Sequence, residues 1–124
     1  MSDIASLWVE GSGDVRVARI AGEVDSSNVT ELGHELLSSV PNDSRALVLD
    51  LTETSYMDSS GISLIFDVAS RLRNRRQELR LVVPPRSFIA EVLRTVSLDG
   101  VANVDGALSE ALRAVRPNAP DEEN

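Results

Sequence analysis

Two adjacent serines between an aspartate and a glycine, Asp58-Ser59-Ser60-Gly61, are the residues of this 124-residue sequence best suited to chemistry. A serine hydroxyl can accept a phosphoryl group, attack a carbonyl as a nucleophile, or bond the free N–H groups at a helix start. Downstream, Ile62, Ile65, Phe66, Val68, Ala69 and Leu72 recur at helical spacing, which places the tetrapeptide at a helix N-terminus. Unpaired backbone N–H groups and the positive end of the peptide dipole favour a cap or an added phosphate there. For an isolated tetrapeptide of this kind, Asp58 or Ser59 acting as a plain cap is the simplest reading. Two serines in succession also allow a division of labour, in which Ser59 caps and Ser60 turns its hydroxyl outward. Gly61, with no side chain, would then let a partner's backbone approach closely.

A serine hydrolase asks for more than a serine. A nucleophile elbow needs Gly-x-Ser-x-Gly, whereas this stretch reads Asp58-Ser59-Ser60-Gly61-Ile62. The sole histidine, His34, precedes the serine instead of following it, and its polar neighbourhood beside Gly33 and Glu35 reads as surface. Asp58 as a catalytic acid is weaker than Asp58 as a cap. With no cysteine and one histidine, the chain offers no thiolate or histidine cluster for a metal. All twelve basic residues are Arg, so a P-loop lysine is excluded as well. The expectation is therefore no catalysis, no metal and no cofactor. Ser63, one turn after Ser60, could be a second modification site but reads better as a solvent-facing or back-bonded serine. Arg71, Arg73, Arg75 and Arg76 end the same helix, where cations complement the dipole, and read as a solvated terminus before a binding patch.

The elements that must position these residues alternate between strand and helix. Leu7-Trp8-Val9, the turn Gly11-Ser12-Gly13-Asp14 and Val15 to Ile20 read as an opening β-hairpin. Gly22 to Ser27 breaks that strand, and Ser26 or Ser27 is expected to cap a helix carrying Val29, Leu32, Leu36, Leu37 and Val40. Ala46 to Leu49 is a continuous apolar run of strand length, the pattern of a strand buried on both faces. Thr52 to Ser55 reads as a polar link. Leu79 to Val83 is a second buried strand, Phe88, Ile89, Val92, Leu93 and Val96 mark a third helix face, and Ala102 to Val104 a weak strand. The last helix carries Ala107, Leu108, Ala111, Leu112 and Val115. This order predicts an α/β fold with a mostly parallel central sheet, an N-terminal antiparallel hairpin and about four helices. The domain is expected over residues 4–116, with 117–124 a disordered acidic tail. In such sheets functional groups gather where strand ends lead into helix starts, as Asp58 to Gly61 do.

Composition narrows the partners. A net charge of −8 and a pI near 4.5 argue against nucleic acid, whose phosphates demand a basic surface, and favour a basic partner protein. Apolar runs fall far short of the roughly 20 residues that span a bilayer. Met1-Ser2-Asp3 opens with an acid where a signal peptide carries positive charge, so a cytoplasmic protein without membrane contact is expected.

Taken in order, Gly22-Glu23-Val24-Asp25, Ala46-Leu47-Val48-Leu49-Asp50-Leu51 and Met57-Asp58-Ser59-Ser60-Gly61-Ile62 resemble the STAS domain family, over nearly the whole chain. STAS domains occur in sulfate transporters and, free-standing, as bacterial anti-sigma factor antagonists. The resemblance implies a STAS-like fold and phosphorylation of Ser60 by an ATP-bound anti-sigma factor serine kinase, with a phosphatase that resets the switch. It also implies partner contacts at Asp25, Asp58, Ser59, Ser60 and Gly61. The unphosphorylated form would bind the kinase and free a sigma factor. A STAS subunit of a lipid-transport or stress-sensing complex is the alternative, and a serine hydrolase a distant second. Val24 replaces the family's usual leucine and Ser63 a small glycine, and neither touches the acceptor.

Overall fold

The computed structural model describes residues 5–11 and 14–115. The expected acidic tail, 117–124, and the hairpin tip Ser12-Gly13 lie outside the described residues. Strands β1 (Ala5–Glu10) and β2 (Val15–Val24) form the antiparallel hairpin, with Leu7 opposite Ile20. Next come α1 (Val29–Ser38), β3 (Ala46–Asp50), β4 (Thr54–Met57), α2 (Ser59–Asn74), β5 (Glu78–Val82), α3 (Phe88–Leu93), β6 (Asn103–Asp105) and α4 (Leu108–Val115). The sheet runs β1-β2-β3-β5-β6, with β4 also paired to β2, and every pairing after the hairpin is parallel. This is the α/β architecture that the alternating pattern predicts.

All five residues of β3 are buried, as a strand covered on both faces must be. Alternation along it sends Leu47 and Leu49 to one side, where they pack with Leu36 of α1, Val68 of α2 and Ile89 of α3. Ala46 and Val48 face the other side and meet Ala111 and Val115 of α4. Each large side chain buried in this way stabilises the fold by about 1.5–3 kcal/mol. Among the described residues, no helix is long and apolar enough to cross a membrane.

Four local expectations need correction. First, β2 does not stop at Gly22. Gly22 adopts a φ of 103°, which only a glycine takes without strain, the register shifts there, and the strand continues to Val24 against a partner. Second, that partner is β4, in the segment read as a polar link. The Thr54 hydroxyl is buried but donates to the Ile20 carbonyl at 2.8 Å, so a polar residue fits inside the sheet. Third, α1 starts later than Ser26 or Ser27 would have it, with Asn28 as its first flanking residue. Fourth, α3 is a six-residue helix on which Phe88 is exposed instead of lying on the buried face. The last two strands also shift by one residue, to Glu78–Val82 and Asn103–Asp105.

The arginines that close α2 serve its terminus. Arg76 takes a left-handed φ of 62°, and the N–H groups of Gln77 and Arg76 donate to the Leu72 and Arg73 carbonyls at 2.8 Å each, a Schellman ending. Arg75 donates to the Val40 carbonyl at 3.2 Å, Arg73 to the Gly100 carbonyl, and Arg71 pairs with Asp67 one turn back at 3.2 Å. The cluster thus ties α2 to its neighbours.

Candidate functional site

The site is built where β2 and β4 end together. Val24 and Met57 are register partners in a parallel ladder, and the Asp58 N–H donates to the Val24 carbonyl at 3.3 Å. The next residue on each strand is an aspartate, so Asp25 and Asp58 leave the sheet as neighbours at its carboxyl edge.

Asp25 is half-buried and fixed by its own turn. Its Oδ1 accepts the Ser27 N–H at 2.9 Å and the Ser27 hydroxyl at 2.6 Å. The Asp25 N–H donates to Asn28 Oδ1 at 3.0 Å, and Asn28 Nδ2 donates to the Glu23 carbonyl at 2.9 Å. Asn28 therefore staples the loop instead of capping α1 with its side chain. Asp25 Oδ2 makes no protein hydrogen bond among the described residues.

Asp58 is the cap of α2. Its backbone is extended (φ −102°, ψ −168°), and its Oδ1 accepts the Ser60 N–H at 2.8 Å and the Gly61 N–H at 3.4 Å. Ser59 is the first helical residue and is exposed, so the expected division, with Ser59 capping, is corrected. Ser60 is half-buried at the second helical position. Its hydroxyl makes no protein hydrogen bond among the described residues and borders a groove of about 550 Å³ between α1 and α2. His34 and Ser63 border the same groove and both are exposed, as expected. No hydrogen bond joins His34 to Ser60, and no acid orients the imidazole, so the relay of a serine hydrolase is not assembled among the described residues.

Gly61 is buried, which corrects the reading of an open approach for a partner. A Cβ at this position would lie 2.3 Å from Met57 Cγ and 3.2 Å from Val24 Cγ1. The missing side chain is needed inside, where α2 presses against the ends of β2 and β4. Ser59, Ser60 and Asp58 are thereby held at the surface by a tight internal contact.

The local field is negative. Glu23, Asp25, Glu53 and Asp58 all belong to the segments meeting here, and none reaches a cation within 4.0 Å among the described residues. Arg71 borders the Ser60 groove but is held by Asp67 and stands eleven residues along the helix, about 16 Å by rise. Among the described residues, no cluster of His, Cys, Asp and Glu could hold a metal ion. Away from the site, the Arg80 guanidinium is raised above its ordinary value by its hydrogen bond to Asp105, with burial opposing and Glu78 assisting.

Two residues beside the site were not singled out from sequence. Tyr56 on β4 and Phe88 at the start of α3 are 41% and 51% exposed, and their rings stack with centroids 5.8 Å apart and planes 16° from parallel. A hint lies in Tyr56 standing two residues before Asp58, but nothing in the sequence brings Phe88 to it.

The comparisons with known proteins agree with this fold. The profile of the STAS domain matches residues 7–111. BtrV of Bordetella bronchiseptica, a candidate anti-sigma factor antagonist, is 32% identical over 103 residues, which cover 82% of this chain and 89% of that protein. The anti-sigma-B factor antagonist of Listeria monocytogenes is 30% identical over 92 residues, 73% of this chain and 81% of the relative. The crystal structure of an anti-sigma factor antagonist from Mycobacterium paratuberculosis superimposes with a TM-score of 0.79 over 91% of this chain and 95% of the other. At 23% identity, that likeness is one of fold.

Proposed function

This chain belongs to the STAS domain family, and we propose that it is an anti-sigma factor antagonist of the cytoplasm, switched off by phosphorylation of Ser60. In the unphosphorylated state it docks on an ATP-bound anti-sigma factor serine kinase through the surface around Asp25, Asp58, Ser59 and Ser60, and a sigma factor is freed. A phosphatase restores the hydroxyl. The names of its curated relatives support the antagonist reading.

The observation that carries the switch is the setting of Ser60: an unbonded hydroxyl at a helix start, beside the Asp58 carboxylate, which no cation pairs among the described residues. A phosphate adds about −1.5 to −2 charges and needs a basic group or free N–H donors. Asp58 already occupies the Ser60 and Gly61 N–H groups, so the dipole that would receive a phosphate is partly neutralised. The new charge is left to face the partner, uncompensated. A full swing between bound and free requires a change of about 10⁴-fold, or about 5.5 kcal/mol. Like-charge repulsion in a desolvated interface is of that order.

The test is calorimetric titration of the purified chain into an anti-sigma factor kinase encoded in the same genome, with ATP analogue present, alongside displacement of its sigma factor. Binding and displacement by the unmodified chain, both abolished by stoichiometric phosphorylation, are expected. Equal binding in both states would overturn the switch.

A further inference from the structure

We infer that the Tyr56–Phe88 stack is an anchor for an arginine side chain of the partner. The inference rests on the antagonist reading for the partner's identity but not for the chemistry of the contact. Aromatic residues are only 3% of this chain, yet two of them meet at the surface, at the end of the sheet that carries Ser60. Such side chains bury well and dominate interfaces when they remain half exposed in the free protein. The rings stack nearly parallel and both stay partly exposed, so the pair leaves aromatic surface for a further planar group to stack on.

Charge decides the occupant. Glu23 is the register partner of Tyr56 in the parallel β2–β4 ladder, so the two exposed side chains leave the sheet on the same face from backbones about 5 Å apart. Glu53 joins the same corner, its carbonyl accepting the Gly22 N–H at 3.1 Å. Neither acid is paired among the described residues, and the chain as a whole carries −8. A planar guanidinium can stack on an aromatic face and, through its edge, donate two hydrogen bonds to a carboxylate beside it. An ammonium can do only the second well. A partly exposed aromatic stack with unpaired carboxylates on the neighbouring strand therefore suits an arginine on a basic protein surface better than a lysine, a phosphate-bearing ligand or a membrane.

Two experiments test this together. With the anti-sigma factor kinase as probe, Tyr56→Ala and Phe88→Ala should each weaken binding by about tenfold or more, while Tyr56→Phe keeps it. Trp8→Ala, equally exposed but on β1, should leave affinity unchanged. Unaltered melting temperatures would show that the fold survives. Independently of any kinase, the peptide acetyl-Gly-Arg-Gly-Arg-Gly-amide should shift the Tyr56 and Phe88 ring resonances, and its lysine counterpart should do so several-fold less at equal concentration.

Arginine-selective shifts with no kinase bound would sustain the anchor and remove the sigma-factor reading. Wild-type affinity in both alanine variants would overturn the anchor while leaving that reading intact. Lost affinity without arginine selectivity would overturn the guanidinium assignment. Concentration-dependent dimers abolished by Phe88→Ala would overturn it too, in favour of a second copy of this chain.

Discussion

Val24 and Met57 face each other in the β2–β4 ladder, so the residue that follows each of them is an aspartate at the same corner of the molecule. One, Asp58, spends an oxygen on two helix N–H groups. The other, Asp25, spends one on its own turn and keeps Oδ2 free of protein partners among the described residues. Their positions are alike and their duties differ.

That difference predicts opposite phenotypes. Asp25→Asn keeps an oxygen for the Ser27 N–H and removes only charge, so stability should stay near wild type. Removing a buried interfacial charge typically costs about 2–5 kcal/mol of binding, and calorimetry against the anti-sigma factor kinase should register a loss of that order for Asp25→Asn and Asp25→Ala alike. Unchanged affinity would take Asp25 out of the interface.

Asp58→Ala should instead lower stability by about 0.5–2 kcal/mol, read as a lower melting temperature, because the start of α2 loses its cap. Asp58→Asn should restore most of it. A stable Asp58→Ala protein would contradict the capping role.

Gly61→Ala should destabilise the fold by about 1–3 kcal/mol in denaturant unfolding, since the new methyl meets Met57 and Val24 inside. If Gly61 served a partner's approach instead, the variant would fold like wild type and fail only in binding.

How far these contacts were legible follows from their physics. The parallel core was readable because β3 is apolar without interruption and the helices keep their spacing. The start of α2 was readable because Asp and Ser at a helix start have a local cause. β4 was not, since Thr54, Ser55, Tyr56 and Met57 follow no alternation, with the two ends buried and the middle exposed. Its existence depends on the bulge at Gly22, a tertiary event. Asn28 displaced Ser26 and Ser27 because Asp25 had already bonded Ser27. Gly61 was placed correctly in the chain but on the wrong side of its own helix, because a short sequence does not say which neighbour a missing side chain accommodates.

The modified residue is a sharper question now that Ser59 is the more exposed hydroxyl. After incubation with the kinase and ATP, peptide mass spectrometry should find one phosphate, on Ser60, and Ser60→Ala should take none. Helix geometry turns successive side chains about 100° apart, so a kinase that docks on the Asp25 edge meets the two serines on different faces. Phosphate mainly on Ser59 or Ser63 would move the acceptor.

Most direct is the affinity of three proteins, wild type, Ser60→Ala and Ser60→Asp, for the nucleotide-loaded anti-sigma factor kinase. Neither substitution touches the Asp58 cap or fills the Gly61 contact, so all three should fold alike. Alanine removes the acceptor and should bind persistently, keeping the sigma factor free. Aspartate sets a full charge beside the unpaired Asp58 carboxylate and should bind at least about a hundredfold more weakly, a loss of about 2.7 kcal/mol. Equal affinities for the three proteins would contradict the phosphoswitch.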